Sequence, residues 1–475
     1  MKKQYILSGL LVITFAFSAC NDWFDVSPKS EVKADDLYSS ESGFRDVLTG
    51  VYALMTTENL YGRQLTFGYV DVLAQYYDKI SLQSHEYIKT INFQYDEPTD
   101  ENAISLMWST QYKAIVNLNT LLEYIDTRKE VFESETIYRL YKGEALALRA
   151  FLHFDLLRLF GPSVAMGENL AAIPYMETYT NIAQPRLSVR EVLDKITTDL
   201  NNARELMKEV DSYGPEYENL KDSYAEDKRL ANRKFHLNYY AATALLARVE
   251  LYAQHPDEAL AAAKEIIGTA GSDPVQPFQL ASAASSSDRL FDSEILFSLE
   301  MSNLEDIIDP YFGEAASSTG LTTSTTMLAF STSKKDNLFA QESSTDDDYR
   351  LKTWFASTSS TTASMSNKLT DSEQMPLIRI SELYYIAAEC AGGSEGLAYL
   401  NQIRAHRGLS AYTDASNLEE NIYKEYRKEF MNEGQMFYYY KRKNLSSMGV
   451  YSTKTVVPED VYVLPLPVDE QDYGK

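Results

Sequence analysis

Cysteine is nearly absent: 475 residues hold two, Cys20 and Cys390. Histidine is scarce too, and His85, His153, His236, His255 and His406 stand without metal-ligand spacing. His85-Glu86 lacks the second histidine that a zinc helix needs. No glycine-rich phosphate loop and no paired-cysteine motif occurs, so neither a metal nor a cofactor is predicted. Basic residues are outnumbered, 44 against 69 acids, for a net charge of −25. That balance argues against nucleic acid as a partner, because phosphate recognition needs a cationic face. It suits neutral ligands or cationic partners.

What is present begins at the N-terminus. Lys2 and Lys3 precede the apolar run Ile6 to Phe17, and small residues lead to Cys20. This is the layout of a secretory signal. The run is too short to span a bilayer core, which takes about 20 apolar residues. Phe17-Ser18-Ala19-Cys20 reads as a lipobox, where a bacterial signal peptidase cuts ahead of a cysteine that becomes acylated. Residues 1–19 are therefore predicted to be a lipoprotein signal peptide and 20–475 the mature chain. Buried acyl chains contribute about 0.8 kcal/mol per methylene, so lipidation at Cys20 predicts a membrane anchor. Cys390 is then left without an intramolecular disulfide partner, and stability has to come from core burial.

Helical periodicity dominates the rest. Ala147, Ala150, Phe151, Phe154 and Leu157 share one helix face, as do Ala241, Leu245, Val249 and Tyr252. Ala259, Ala263, Ile266 and Ile267 make another such face, and Leu383, Ile386, Ala387 and Cys390 a fourth. Helices are predicted over 104–125, 136–160, 189–208, 235–254, 257–268, 378–391, 395–406 and 418–442, with few strands: an all-α protein. His255-Pro256-Asp257 and Ala391-Gly392-Gly393-Ser394 break neighbouring helices into pairs, which suggests degenerate tetratricopeptide-type repeats. Two stretches depart from this pattern. Residues 62–103 are irregular and rich in Tyr and Phe, and 269–375 carry Ser/Thr-rich runs that read as surface loops. Loops on a rigid scaffold are where binding usually sits.

Several motifs have plain explanations. Gly392-Gly393-Ser394-Glu395-Gly396 has the letters of a hydrolase nucleophile elbow, which requires a strand leading into a helix; here a helix precedes it, so a turn is predicted. Asp346-Asp347-Asp348 offers oxygens to a hard cation, but reads first as a solvated loop. The 69 acids single out no general acid/base pair for glycoside chemistry. Aromatics are abundant, with 35 Tyr and 20 Phe. They present flat apolar faces suited to sugar rings, although most belong between helices.

Five stretches together resemble the SusD/RagB family of outer-membrane nutrient-binding lipoproteins. They are GEALALRAFLHFDLLRLFG at 143–161, AATALLARVELY at 241–252, PLIRISELYYIAAE at 376–389, LNQIRAHRGL at 400–409, and 423–442. The last contains Glu425, Arg427, Glu429, Phe430, Glu433, Gly434 and Phe437. Trp108 to Asn119 and Leu464-Pro465-Leu466-Pro467 follow the family's order too. Tyr438-Tyr439-Tyr440-Lys441-Arg442 replaces the family's "D-L-x-R-W". The resemblance implies a non-enzymatic lid, lipid-anchored on the outer membrane and facing outward. It would pass oligosaccharide or another nutrient to a SusC-like TonB-dependent β-barrel transporter. The motifs would be scaffold and barrel contacts, with ligand residues in the variable loops. The alternatives are a helical-repeat adaptor that binds protein and an α-helical glycoside hydrolase or lyase. For the ligand site, the aromatics off the helical faces are the candidates: Tyr87, Phe93 and Tyr95, then Tyr311, Phe312, Trp354 and Phe355. Asp100 and Asn102 sit beside the first group as hydrogen-bonding partners.

Overall fold

The computed structural model describes residues 34–80, 83–282, 288–313, 324–340, 342–344, 346–355, 363–449 and 452–474. The predicted signal peptide and Cys20 lie outside them. Helices start where the sequence supplies caps. Ser134 accepts from the Ile137 N–H ahead of Glu135–Phe160, and Asn238 accepts from Ala241 N–H ahead of Tyr239–Tyr252. Ser188 and Glu191 form a reciprocal capping box at Val189–Met207. Pro256 occupies the first turn of Pro256–Ile267.

These helices form a continuous row in which each packs on the next. Glu41–Met55 contacts Pro98–Ile125, followed by Glu135–Phe160, Val189–Met207, Tyr239–Tyr252 and Pro256–Ile267. The row then continues through Ile380–Ala391, Gly393–His406 and Leu418–Glu429. Such paired stacking is the helical-repeat scaffold that the breakers predict, and the Gly392/Gly393 turn joins two of its helices with φ of +61° and +51°. Helix Glu135–Phe160 lies so close to Val189–Met207 that a Cβ on Gly143 would fall 2.6 Å from Met207 Cγ. No helix among the described residues is long and apolar enough to cross a membrane.

Some boundaries differ from the sequence reading. The helix expected over 418–442 is two, Leu418–Glu429 and Gln435–Arg442, separated by a turn with Asn432 and Gly434 at φ +67° and +71°. A Cβ on Gly434 would collide with the Leu65 carbonyl, so close backbone approach explains the break. The helix expected from 235 begins at Tyr239, after a 3-10 turn at Arg233–Phe235.

Between Ile267 and Ile380 the chain leaves the row. Strands Ile295–Glu300 and Gln374–Arg379 pair antiparallel, with Ile295 opposite Arg379 and Glu300 opposite Gln374. This ribbon brackets the excursion. The region expected to be surface loops contributes to the core instead: Phe291, Leu296, Phe297, Leu304, Ile308, Phe330, Leu338 and Trp354 are all buried. The irregular segment after Leu60 behaves likewise, burying Tyr61, Leu65, Phe67, Tyr69, Val70, Tyr76 and Tyr77. Both segments belong to the same hydrophobic cluster as the helical row.

Candidate ligand-binding cleft

Most of the predicted contact residues turn inward, and that corrects the premise that aromatics off helical faces are exposed. Tyr87 donates its hydroxyl to Gln64 Oε1 at 3.0 Å and Tyr95 to the Val461 carbonyl at 2.7 Å. Tyr311 accepts from the Arg63 guanidinium, and Phe312 packs edge-on to Phe67 at 5.3 Å. Phe355 sits between Phe330 and Phe339, while Trp354 is fully enclosed and donates Nε1–H to the Arg289 carbonyl at 2.7 Å. Asp100 is buried too, accepting from Thr90 Oγ1 at 2.7 Å. Each has an internal partner that uses up its polar atom or ring face. Phe93 is half-buried against Lys454, a wall residue of one cleft, and Asn102 is exposed and lines another.

The residues that carry the family resemblance also turn inward, as a buried ion network. Glu429 receives Arg350 at 3.0 Å, Arg379 at 2.7 Å and Arg407 at 2.8 Å, all four side chains fully enclosed. Glu294 holds Arg379 and Arg407 from the other side, Glu425 takes Arg350 and Arg404, and Glu433 takes Lys368 and Arg379. Burial alone would raise the Glu429 pKa, but Arg407 and Arg379 outweigh it and hold the carboxyl well below its ordinary range. Burial lowers Lys368 to about 8 against the pull of Glu433. In the first half, Glu144 binds Arg233 at 2.7 Å, Arg149 binds Asp199 at 2.7 Å, and Arg248 joins Glu382 at 2.6 Å across two motifs. These charges are scaffold.

Several open clefts remain among the described residues, one of them, about 510 Å³, between Asn417, Glu420, Tyr423 and Lys443. Another, about 930 Å³, is lined by Lys234, Arg289, Asp292, Glu305 and Asp371. Its charges already pair with one another, Lys234 with Asp292 and Arg289 with Asp371, each at 2.8 Å. A third, about 760 Å³, includes Asn102 and the edge of Tyr95 among Asp96, Glu101, Glu459 and Asp460. The Asp346–Asp348 run lines none of these. Asp346 accepts backbone N–H groups from Glu342, Ser343 and Ser410, and Asp348 binds Arg350. No metal-sized group of His, Cys, Asp or Glu occurs among the described residues.

A fourth cleft, about 390 Å³, lies where both irregular segments meet the C-terminal loop. Asp78, Ile80 and Asn92 come from the first segment, Ser333, Lys334 and Asn337 from the second, and Ser452, Thr453 and Lys454 from the loop. Ser331 fastens the first two together, giving its N–H and hydroxyl to the Asp78 carboxylate at 2.6 and 2.5 Å. Asn337 and Thr453 are exposed, and their side chains make no hydrogen bond to a described residue. Phe93 flanks the wall, with the Lys454 ammonium 5.1 Å from its ring centre. Amides and hydroxyls beside an aromatic edge can hydrogen-bond a polyhydroxylated ligand and cover an apolar ring face. Of these residues the sequence reading singled out only Phe93. The weak signal for the others was Asn, Ser and Thr gathered near Phe93 and in the two polar loops.

The helical-repeat scaffold thus carries an open, polar, loop-built cleft. A family model described as "Starch-binding associating with outer membrane" matches residues 22–251, and one described as "SusD family" matches 299–461. The chain belongs to the SusD/RagB family. It is 23% identical over 167 residues to SusD-like protein P25 of Formosa agariphila, covering 34% of this chain and 31% of that protein. With SusD-like protein P38 of the same organism it shares 24% identity over 222 residues, 44% of this chain and 39% of that one. The chain thus spans less than half the length of these curated relatives. Among solved structures, a SusD superfamily protein from Bacteroides thetaiotaomicron matches with a TM-score of 0.70 at 21% identity, covering 91% of this chain and 98% of that one. A laminarin-binding SusD-like protein matches at 0.66 and 20%, covering 92% and 98%. At such identities the likeness concerns the fold.

Proposed function

We propose that this protein is a non-catalytic, surface-exposed lipoprotein of the outer membrane that captures oligosaccharide in the Asp78/Asn337/Thr453 cleft. Residues 1–19 serve as its signal peptide, Cys20 as its lipid anchor, and 20–475 as one SusD-like unit. It delivers the captured glycan to a SusC-like TonB-dependent barrel. The observation that carries this reading is the cleft itself: uncommitted amide and hydroxyl groups beside Phe93, on a scaffold whose own charges are internally paired. The laminarin-binding neighbour and the starch-binding description of the family model support a saccharide as ligand.

The test is a glycan-array screen followed by calorimetry on Asn337→Ala and Phe93→Ala. A neutral hydrogen bond is worth about 1–1.5 kcal/mol, so Asn337→Ala should lower affinity roughly tenfold. Because Asn337 is exposed, the thermal midpoint should stay where it is. Unchanged affinity in both variants would move the site elsewhere, and turnover of a bound oligosaccharide would make the protein an enzyme.

A further inference from the structure

We propose that this cleft selects acidic saccharides, with the Lys334 ammonium pairing with a uronate carboxylate or a sulfate ester of the bound glycan. The inference rests on the reading of the cleft as the glycan site and adds the ligand's charge. The chain as a whole carries −25, yet the charged side chains lining this cleft are two lysines and one aspartate. Ser331 donates one hydrogen bond to each Asp78 oxygen, and that single carboxylate leaves the lining with one net positive charge. Lys454 donates to neutral acceptors, the Ile91 carbonyl and Asn92 Oδ1.

Lys334 is half-buried, and its ammonium makes no hydrogen bond or ion pair with any described residue. Elsewhere the lysines facing carboxylates close on them, as Lys234 does on Asp292 and Lys89 on Glu97, both at 2.8 Å. Behind Lys334 stands Arg427, a buried guanidinium that donates to the Ala74 and Gln75 carbonyls. Two lysines against one carboxylate leave the cleft net positive, and a ligand oxyanion would neutralise the partly desolvated Lys334 ammonium through a charge-assisted hydrogen bond. Burial, with Arg427 and Lys454 against Asp78, lowers Lys334 to about 7. Bound anion favours the protonated lysine, so affinity for an acidic glycan should be higher at pH 6 than at pH 8.

The experiment is calorimetry on the mature full-length protein with matched pairs. Uronate oligosaccharides are compared with their methyl esters, and sulfated oligosaccharides with their desulfated forms. The expected result is at least a tenfold preference for an acidic member at pH 6, shrinking at pH 8, and the arm that shows it identifies carboxylate or sulfate. Lys334→Met should collapse the acidic-to-neutral ratio. Lys334→Arg should keep the ratio and lose its change between pH 6 and 8, which separates charge from folding. Equal or tighter binding of the neutral members overturns the charge selectivity and leaves the cleft reading standing. A preference that survives Lys334→Met overturns it as well, and absence of binding to every glycan overturns both.

Discussion

At Trp354 the indole is enclosed on all sides: its N–H reaches the Arg289 carbonyl, Phe291 packs at 5.6 Å, and the Lys368 ammonium lies 4.0 Å from its ring. Truncating so large a buried side chain costs about 3–5 kcal/mol. Trp354→Ala is therefore expected to lower the urea midpoint sharply, whereas a variant that kept wild-type stability and lost only glycan affinity would put the indole back at the surface. His153 is confined in the same way. It donates from Nδ1 to the Arg149 carbonyl at 2.9 Å, accepts the Met176 N–H at Nε2, and stacks on Tyr175. Aromatics without helical spacing look free in a sequence because periodicity is the only local sign of burial. In the segment holding Trp354 the chain folds back on itself, so burial arises from contacts far apart in sequence that no window reveals.

Among the elements, helix Leu418–Glu429 is the one on which the excursion meets the end of the helical row. Its Glu425 and Glu429 receive Arg350 from the loop-rich excursion, Arg379 from the end of a strand, and Arg404 and Arg407 from the neighbouring helix. Each partner is already desolvated, so removing one charge strands the others. Glu429→Gln is expected to cost about 3–5 kcal/mol, read as a lowered denaturant midpoint with retained helical circular dichroism below it. A loss under about 1 kcal/mol would mean that water reaches these arginines and the network is not sealed. The motif letters Arg379, Arg404, Arg407, Glu425 and Glu429 were legible as a family pattern, and the helices that carry them as periodicity. Their pairing was not, because arginine and glutamate on a helix look the same whether they face solvent or each other.

For the whole molecule, these buried charges set a direction for acid stability. Burial would raise Glu144, Glu389 and Glu425, but their cationic partners lower each of them to about 2. An unfolded glutamate has a pKa near 4.3, so their contribution is complete above that value and is lost as pH falls towards 2. His153, lowered to about 3 by burial, must also be neutral in the fold, so it opposes folding progressively below about pH 6.5. Stability should therefore decline gently from pH 6.5 and steeply below 4.5, and His153→Gln should flatten the first part if the fold survives it. A flat profile from pH 7 down to 3 would contradict both effects. Attachment to the membrane is tested separately. Fatty-acid labelling should tag the wild type and not Cys20→Ala, and a large β-barrel should co-purify with the wild type from detergent-solubilised outer membranes; equal labelling of both, or recovery of the chain alone, would sink that part of the reading.

The sequence by itself determined the class of this protein. Helical periodicity, caps and breakers act within a few residues, and the family motifs are contiguous strings, so all of them survive without coordinates. Where the open clefts lie is set by long-range packing. It buries Tyr87, Tyr95, Asp100, Tyr311, Phe312, Trp354 and Phe355, leaves Phe93 half-buried beside Lys454 and Asn102 on another cleft, and brings Asp78, Lys334, Asn337 and Lys454 around one opening. Those four lie on three segments separated by hundreds of residues at the widest. Their convergence depends on how the excursion docks against the helical row, which is a property of packing and charge pairing across the whole chain.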